Sequence, residues 1–224
     1  MVVLSFMKNA LFALAVALLA SATASAQSAF GVRLGYNATD VTYGIGPTEI
    51  PTSATGNFVF GAFLNVPLAT GLLSLQPEVN YLNRGFVVNS GTVSTTQEGT
   101  VVLGNGDQTI SYLDLGTLLR LNVGTSGPLG FYVGAGPYVS YAVSGRIQTA
   151  NGQRDVDFNA DRLRRGGLQL AGIAGLTAGV GGLDLFLEGR YQTALSDLTK
   201  EGSISLSRQR QYGLAVGVMV PFGK

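Results

Sequence analysis

The sequence predicts an all-β fold, an eight-stranded antiparallel up-and-down transmembrane β-barrel with short periplasmic turns and long outer loops, on three observations. The first is strict alternation across Leu183–Asp197, where Leu183, Leu185, Leu187, Tyr191 and Leu195 share one face and Asp184, Glu188, Arg190 and Gln192 the other. Successive side chains of a strand point to opposite faces. Several segments repeat the pattern with charges of both signs on the polar face, as a barrel in lipid does with its apolar wall and polar lumen. The second is that long polar connections and short turns take turns along the chain, a signal independent of hydropathy. The third is composition: 224 residues that are 46% hydrophobic but only 12% charged, with 32 glycines. Soluble domains carry about 25% charged residues.

Taken in order, residues 1–26 read as a secretory signal peptide: Lys8, the apolar run Leu11–Ala20, then small residues ending in the A-x-A site Ala24-Ser25-Ala26. Cleavage leaves a mature barrel domain over 27–224, beginning at Gln27, and Met7 reads as the initiating methionine. The apolar run is too short to span a bilayer as a helix. With no cysteine, neither a lipidated N-terminus nor a disulfide is available. Loss of Lys8 takes the formal charge from +1 to 0, which offers nothing to nucleic acid.

Eight strands are expected near Phe30–Asn37, Phe58–Val66, Leu73–Phe86, Ile110–Val123, Leu129–Arg146, Leu168–Ala178, Leu183–Asp197 and Tyr212–Phe222. Long connections follow the odd-numbered ones: Ala38–Asn57, Val87–Thr109, Ile147–Gly167 and Leu198–Gln211. Short turns at Pro67–Gly71, Gly124–Pro128 and Gly179–Gly182 join the others. An even strand count with this alternation is the outer-membrane pattern. A transmembrane helix over Gly166–Leu183 is disfavoured by seven glycines, each costing about 1 kcal/mol against alanine.

Parity assigns the faces. On the third strand Leu73, Leu75, Val79 and Tyr81 look out, with Ser74, Gln76, Glu78, Asn80 and Arg84 inside. On the fourth, Leu113, Leu115, Leu119 and Leu121 look out, with Asp114, Leu118, Arg120 and Asn122 inside. On the fifth, Tyr132, Tyr138, Ser140 and Arg146 look in. Outward Tyr36, Tyr81, Tyr141, Tyr191 and Tyr212 fall near the loop ends as an aromatic girdle. The second and sixth strands alternate poorly. Pro77 and Pro137 stand mid-strand, where a missing N–H suggests a bulge.

Arg33, Glu78, Asp114, Arg120, Glu188 and Arg190 are expected to form a mixed-charge network in the lumen, which eight strands leave just wide enough for side chains to fill. It reads either as a satisfied polar plug or as a proton or ion path; pairing relieves the cost of burying charge and favours the plug. Chemistry motifs are scarce. Absence of His and Cys excludes Ser–His, Cys–His and His-ligated metal arrangements. Glu78 and Glu188 as an acid–base pair would face a filled lumen. Asp155-x-Asp157-x-Asn159-x-Asp161 opens like a calcium loop but lacks its central Gly and closing Glu, so a solvated loop is expected. No cofactor and no enzymatic activity are expected. Arg162, Arg164, Arg165, Arg208 and Arg210 gather at the outer rim, where lipopolysaccharide phosphates would lie, against the alternative of generic surface charge.

Leu73–Gly85 (LSLQPEVNYLNRG), Tyr112–Asn122 (YLDLGTLLRLN), Gly130–Tyr141 (GFYVGAGPYVSY) and Leu187–Leu198 (LEGRYQTALSDL) resemble the PorT-like outer-membrane β-barrel family over essentially the whole mature chain. Gln76-Pro77-Glu78, the Asp114…Arg120 strand and Gly136-Pro137 are the shared landmarks, and Gly116 stands where the family usually has Pro. They mark the barrel and not an activity. The resemblance implies an outer-membrane location, and a role in assembling a protein secretion machine is known for the family's named member.

The sequence reading is therefore a monomeric, non-enzymatic barrel in the cell outer membrane, with outer-membrane lipid and lipopolysaccharide as partners and a structural or surface-interaction role. An accessory of a secretion machine, with envelope-protein partners, is the first alternative. A membrane-embedded lipid enzyme and a lipocalin-like soluble barrel follow, the last disfavoured because its interior would be the apolar side.

Overall fold

The computed structural model describes residues 27–45, 48–50, 53–68, 71–88, 93–96, 99–102, 106–123, 129–149, 152–158, 165–195 and 204–222. The expected leader, 1–26, lies outside them. Twelve strands are present among the described residues: β1 (Ser28–Ile45), β2 (Thr48–Ile50), β3 (Ser53–Pro67), β4 (Leu73–Val88), β5 (Val93–Thr96), β6 (Gly99–Val102), β7 (Gly106–Val123), β8 (Leu129–Thr149), β9 (Gly152–Asp155), β10 (Gly166–Val180), β11 (Leu183–Ala194) and β12 (Ile204–Phe222).

Eight of them, 12 to 21 residues long, make the barrel: β1, β3, β4, β7, β8, β10, β11 and β12, each antiparallel to its neighbours. The ring closes where β12 returns to β1, from Ser28↔Phe222 to Ile45↔Ile204. Closure leaves no unpaired edge, which is what permits strands to cross a bilayer. The short β2 and β9 extend β1 and β8 at the long-loop end, and β5 and β6 pair as a separate hairpin.

At the short-turn end the strands start and stop within two residues of the expected limits. At the long-loop end they run further, β1 to Ile45 rather than Asn37 and β12 from Ile204 rather than Tyr212. Above the bilayer no side chain has to meet lipid, so backbone pairing continues with no alternation to reveal it. Only β11 stops short, at Ala194. Its partner turn is the tight one: Gly181 and Gly182, at φ 60° and 88°, join Val180 to Leu183. Two positive φ values in a two-residue loop match the strand twist, and glycine adopts them without a Cβ penalty.

Hydropathy is inverted relative to a soluble protein. Leu115, Leu119, Leu176, Leu185, Leu187 and Val216 are about half exposed, whereas Arg33, Gln76, Glu78, Asp114, Arg120 and Glu188 are buried inside. Tyr36, Tyr81, Tyr141, Tyr191 and Tyr212 all point outward. The two weakly alternating strands resolve cleanly. On β10, Leu168, Leu170 and Leu176 face out and Gln169, Ala171, Ile173 and Gly175 face in; on β3, Phe58 and Phe60 face out and Phe63 in.

Two expectations are corrected. Arg146 points outward, not into the lumen. Ser111 pairs with Ser144 but Tyr112 with Ala142, so Val143 is an extra residue, and this bulge reverses the parity above it. Neither proline makes a bulge. The β3–β4 register is the same on both sides of Pro77, and the β7–β8 register on both sides of Pro137; pairing merely lapses for two residues at each. The missing N–H is accommodated by a gap in one ladder, while Pro77 and Pro137 remain in register with Thr117 and Leu170 on the other side.

Candidate functional site: the charged lumen

Inward parity brings together side chains from strands far apart in sequence. At mid-barrel Arg33 of β1 and Arg190 of β11 each reach both Glu78 of β4 and Glu188 of β11. Arg33 lies 2.5 Å from Glu78 and 2.8 Å from Glu188; Arg190 lies 2.5 Å from Glu78 and 2.8 Å from Glu188. The result is a closed ring of alternating charge with no net sign.

Neutral groups complete it. Tyr132 donates its hydroxyl to Glu188 Oε2 at 3.0 Å, and Tyr138 donates to Glu78 Oε1. Gln76 Nε2 and Asn80 Nδ2 donate to the two oxygens of Glu78, each at 2.9 Å, and Arg33 Nε donates to Asn80 Oδ1 at 3.1 Å. Both tyrosines are 1% exposed. They fit because their register partners on the adjacent strands are bare backbone: a Cβ on Gly116 would stand 2.4 Å from the Tyr138 ring, and one on Gly175 2.4 Å from that of Tyr132. Gly116 is thus the seat of a tyrosine.

The other two expected members lie elsewhere. Asp114 sits nearer the loops and pairs with Arg84, whose Nε donates to Gln211 at 3.0 Å and whose Nη2 donates to Gln169 at 3.2 Å. Arg84 also lies over the Tyr112 ring, 4.4 Å from its centroid. Arg120 sits nearer the short turns. Among the described residues no carboxylate comes within ion-pair distance of it. It donates to Asn122 Oδ1 at 2.6 Å and Gln76 Oε1 at 3.2 Å, and lies 3.5 Å from the Tyr132 ring centroid. A cation over an aromatic face, with two amide oxygens, is a workable substitute for a counter-ion. Four of the six residues therefore form the ring, Asp114 pairs separately with Arg84, a seventh residue, and Arg120 has neutral partners.

Apolar clusters bracket this polar column. Ala29, Phe63, Phe186 and Met219 pack together inside the short-turn end. At the loop end Val156 and Phe158 turn inward onto Leu82, Ile110, Tyr112 and Ala142, with Val156 N donating to Gly145 O at 2.9 Å. Asp155 and Asp157 remain exposed, while Asn159 and Asp161 lie outside the described residues. The stretch expected to be a solvated loop is thus a strap with its carboxylates out and its apolar residues in. Alternation of Asp with Val and Phe was the signal, masked by its likeness to an ion-binding loop. Among the described residues no cluster of acidic side chains suits a metal. Of the rim arginines, Arg165 and Arg210 are exposed, Arg165 over the Phe158 ring at 4.3 Å from its centroid. Of Arg208 only the backbone in β12 is described, and Arg162 and Arg164 lie outside the described residues.

The barrel resembles solved outer-membrane proteins. OprG from Pseudomonas aeruginosa superposes with a TM-score of 0.51 at 14% identity, covering 91% of this chain and 99% of that one. The outer membrane protease OmpT from Escherichia coli gives 0.50 at 9% identity, covering 90% of this chain and 100% of that one. At these identities the likeness is one of fold alone. A search of the curated proteins found no match. The model of the outer membrane protein beta-barrel domain matches residues 21–200, well over half the chain. With the closed eight-stranded barrel, its inverted hydropathy and this match, the chain belongs to the outer membrane protein beta-barrel domain family and resides in the cell outer membrane.

Proposed function

We propose that this is a non-enzymatic barrel whose lumen is plugged and whose role is structural or lies in surface interaction through its long loops. The observation that carries the reading is the mid-barrel ring. Arg33, Glu78, Glu188 and Arg190, with Tyr132 and Tyr138, occupy the section where a channel would run. An eight-stranded barrel encloses little more than the volume of its inward side chains. Each carboxylate is held by two arginines and a tyrosine, which suits a satisfied plug better than an acid–base pair awaiting substrate. Exposed Arg165 and Arg210, just above the tyrosine girdle, would be the residues to meet lipopolysaccharide phosphates, with Arg162, Arg164 and Arg208 as further candidates. The leader-like 1–26 segment supports export of the mature domain.

Planar-bilayer recording of the purified, folded protein tests the plug. No stable stepwise conductance is expected, and Glu78→Ala/Arg190→Ala should raise ion leakage by shortening the ring. Reproducible large steps in the unaltered protein, abolished by substitution within the ring, would overturn the reading.

A further inference from the structure

Unsatisfied polar atoms are distributed unevenly along the lumen. Leaving aside Arg33 Nη2, which ion-pairs with Glu78, the buried side-chain atoms lacking a hydrogen-bond partner are Asn37 Nδ2 and Oδ1, Thr39 Oγ1, Asn65 Oδ1, Arg84 Nη1, Asp114 Oδ1, Ser140 Oγ and Gln209 Oε1. All but Asn65 lie on the loop side of the charged ring. On the other side, Arg120, Gln76, Asn122 and Ser74 bond to one another, and the apolar cluster of Phe63, Phe186 and Met219 lies there as well.

Five of these eight atoms, on Asn37, Arg84, Ser140 and Gln209, belong to side chains that line two small cavities. One, of about 20 Å³, lies between the ring and the tier above, lined by Asn37, Arg190 and Gln211 together with apolar Val59, Leu82 and Leu214. The other, of about 10 Å³, is lined by Arg84, Tyr112, Ser140, Gln169 and Gln209, with Arg165 at its rim. Three orphaned atoms converge on the second: a guanidinium donor, a hydroxyl and an amide oxygen. Buried water typically makes about three hydrogen bonds and needs roughly 10–15 Å³, so each cavity has the size for a single water and the second also has its partners. An unpaired buried polar atom is costly, and water is the smallest group able to serve a donor and an acceptor at once.

We propose that the loop-side half of the lumen is a hydrated vestibule with two ordered water sites, one held by Asn37 above the charged ring and one held by Arg84, Ser140 and Gln209 beneath the Val156–Phe158 strap, and that it ends at the ring. Solvent enters from the cell-surface end and stops halfway. The floor of the vestibule is the ring of the plugged-lumen reading, and the inference rests on that reading for its lower limit.

The test is water-to-amide magnetisation transfer by NMR on the folded, isotope-labelled full chain in nanodiscs, with water itself as the probe. Side-chain amides of Asn37 and Gln209 should show cross-peaks of the sign given by long-lived bound water, and those of Gln76 and Asn122 should show none. Ser140→Val, which fills the second cavity, should remove the Gln209 signal and leave that of Asn37; persistence of the Gln209 signal would overturn the second site. If that variant does not fold, the unaltered protein still decides. Absence of signal at both Asn37 and Gln209 alongside zero conductance sinks the vestibule alone. Equal signals at Gln76 and Asn122 would mean water passes the ring, and would take the plugged lumen down with it.

Discussion

Leu187 and Glu188 are adjacent residues with opposite requirements, and the account stands on that contrast. Leu187 is 49% exposed on the outer wall, and Glu188 is 1% exposed within the ring. Burying an isolated charge costs several kcal/mol, so Glu188 persists only because two guanidiniums and a tyrosine hydroxyl meet it. Removing one partner of a buried pair typically costs about 3–5 kcal/mol, since the remaining charge is stranded. Glu188→Gln should lower the stability of the folded barrel in lipid vesicles by that order, read from urea titration. Leu187→Arg should cost roughly 2–4 kcal/mol near mid-bilayer, for the separate reason that a charge then faces lipid. Arg120→Met should cost less than Glu188→Gln, because it strands no opposite charge, only the neutral amide oxygens of Asn122 and Gln76. A Leu187→Arg variant as stable as the parent would refute the face assignment, and a harmless Glu188→Gln would refute the ring.

Elements show where the pattern could be read and where it could not. Strands such as β4, β7 and β11 were legible because charge or amide on one face and Leu, Val or Tyr on the other leave no ambiguity. β10 was not, because its inward Ala171, Ile173 and Gly175 form the bare wall on which Tyr132 and Tyr138 pack. A lumen floor for an aromatic ring has to be small and apolar, and so resembles the lipid face. Arg146 departs from simple parity because Val143 is an inserted residue, which alternation in the sequence does not reveal. The partner of Asp114 was hidden for a different reason. Parity puts Arg84 inside but gives no depth, and only the register Asn80↔Asp114 shows how far above the ring that pair lies. Close backbone approach gives a prediction at this scale. A Cβ on Gly136 would stand 2.0 Å from the carbonyl oxygen of Thr117, beside the lapse in pairing at Pro137. Gly136→Val should block folding, seen as loss of the heat-resistant band shift on gels, while Ala135→Val, one residue away on the outer face, should fold. Equal folding of the two would show that β7 and β8 do not approach as described.

On the scale of the whole molecule the two ends of the barrel differ in kind. One end is trimmed to tight turns such as Gly181-Gly182, and its strands finish near the bilayer. At the other the strands overrun, β2 and β9 extend them, and the Val156–Phe158 strap folds back over the mouth. Loop-length alternation carried this asymmetry in the sequence, and it fixes orientation because outer-membrane barrels keep short turns in the periplasm. Single-cysteine labelling on intact cells tests it most directly, since the chain has no cysteine to interfere. Thr95→Cys in the β5–β6 hairpin and Gln153→Cys in β9 should react with an impermeant maleimide from outside, and Ser126→Cys, in the five-residue connection from β7 to β8, only once the envelope is opened. Labelling of Ser126→Cys on intact cells, with Thr95→Cys and Gln153→Cys protected, would contradict the orientation and the surface role built on it.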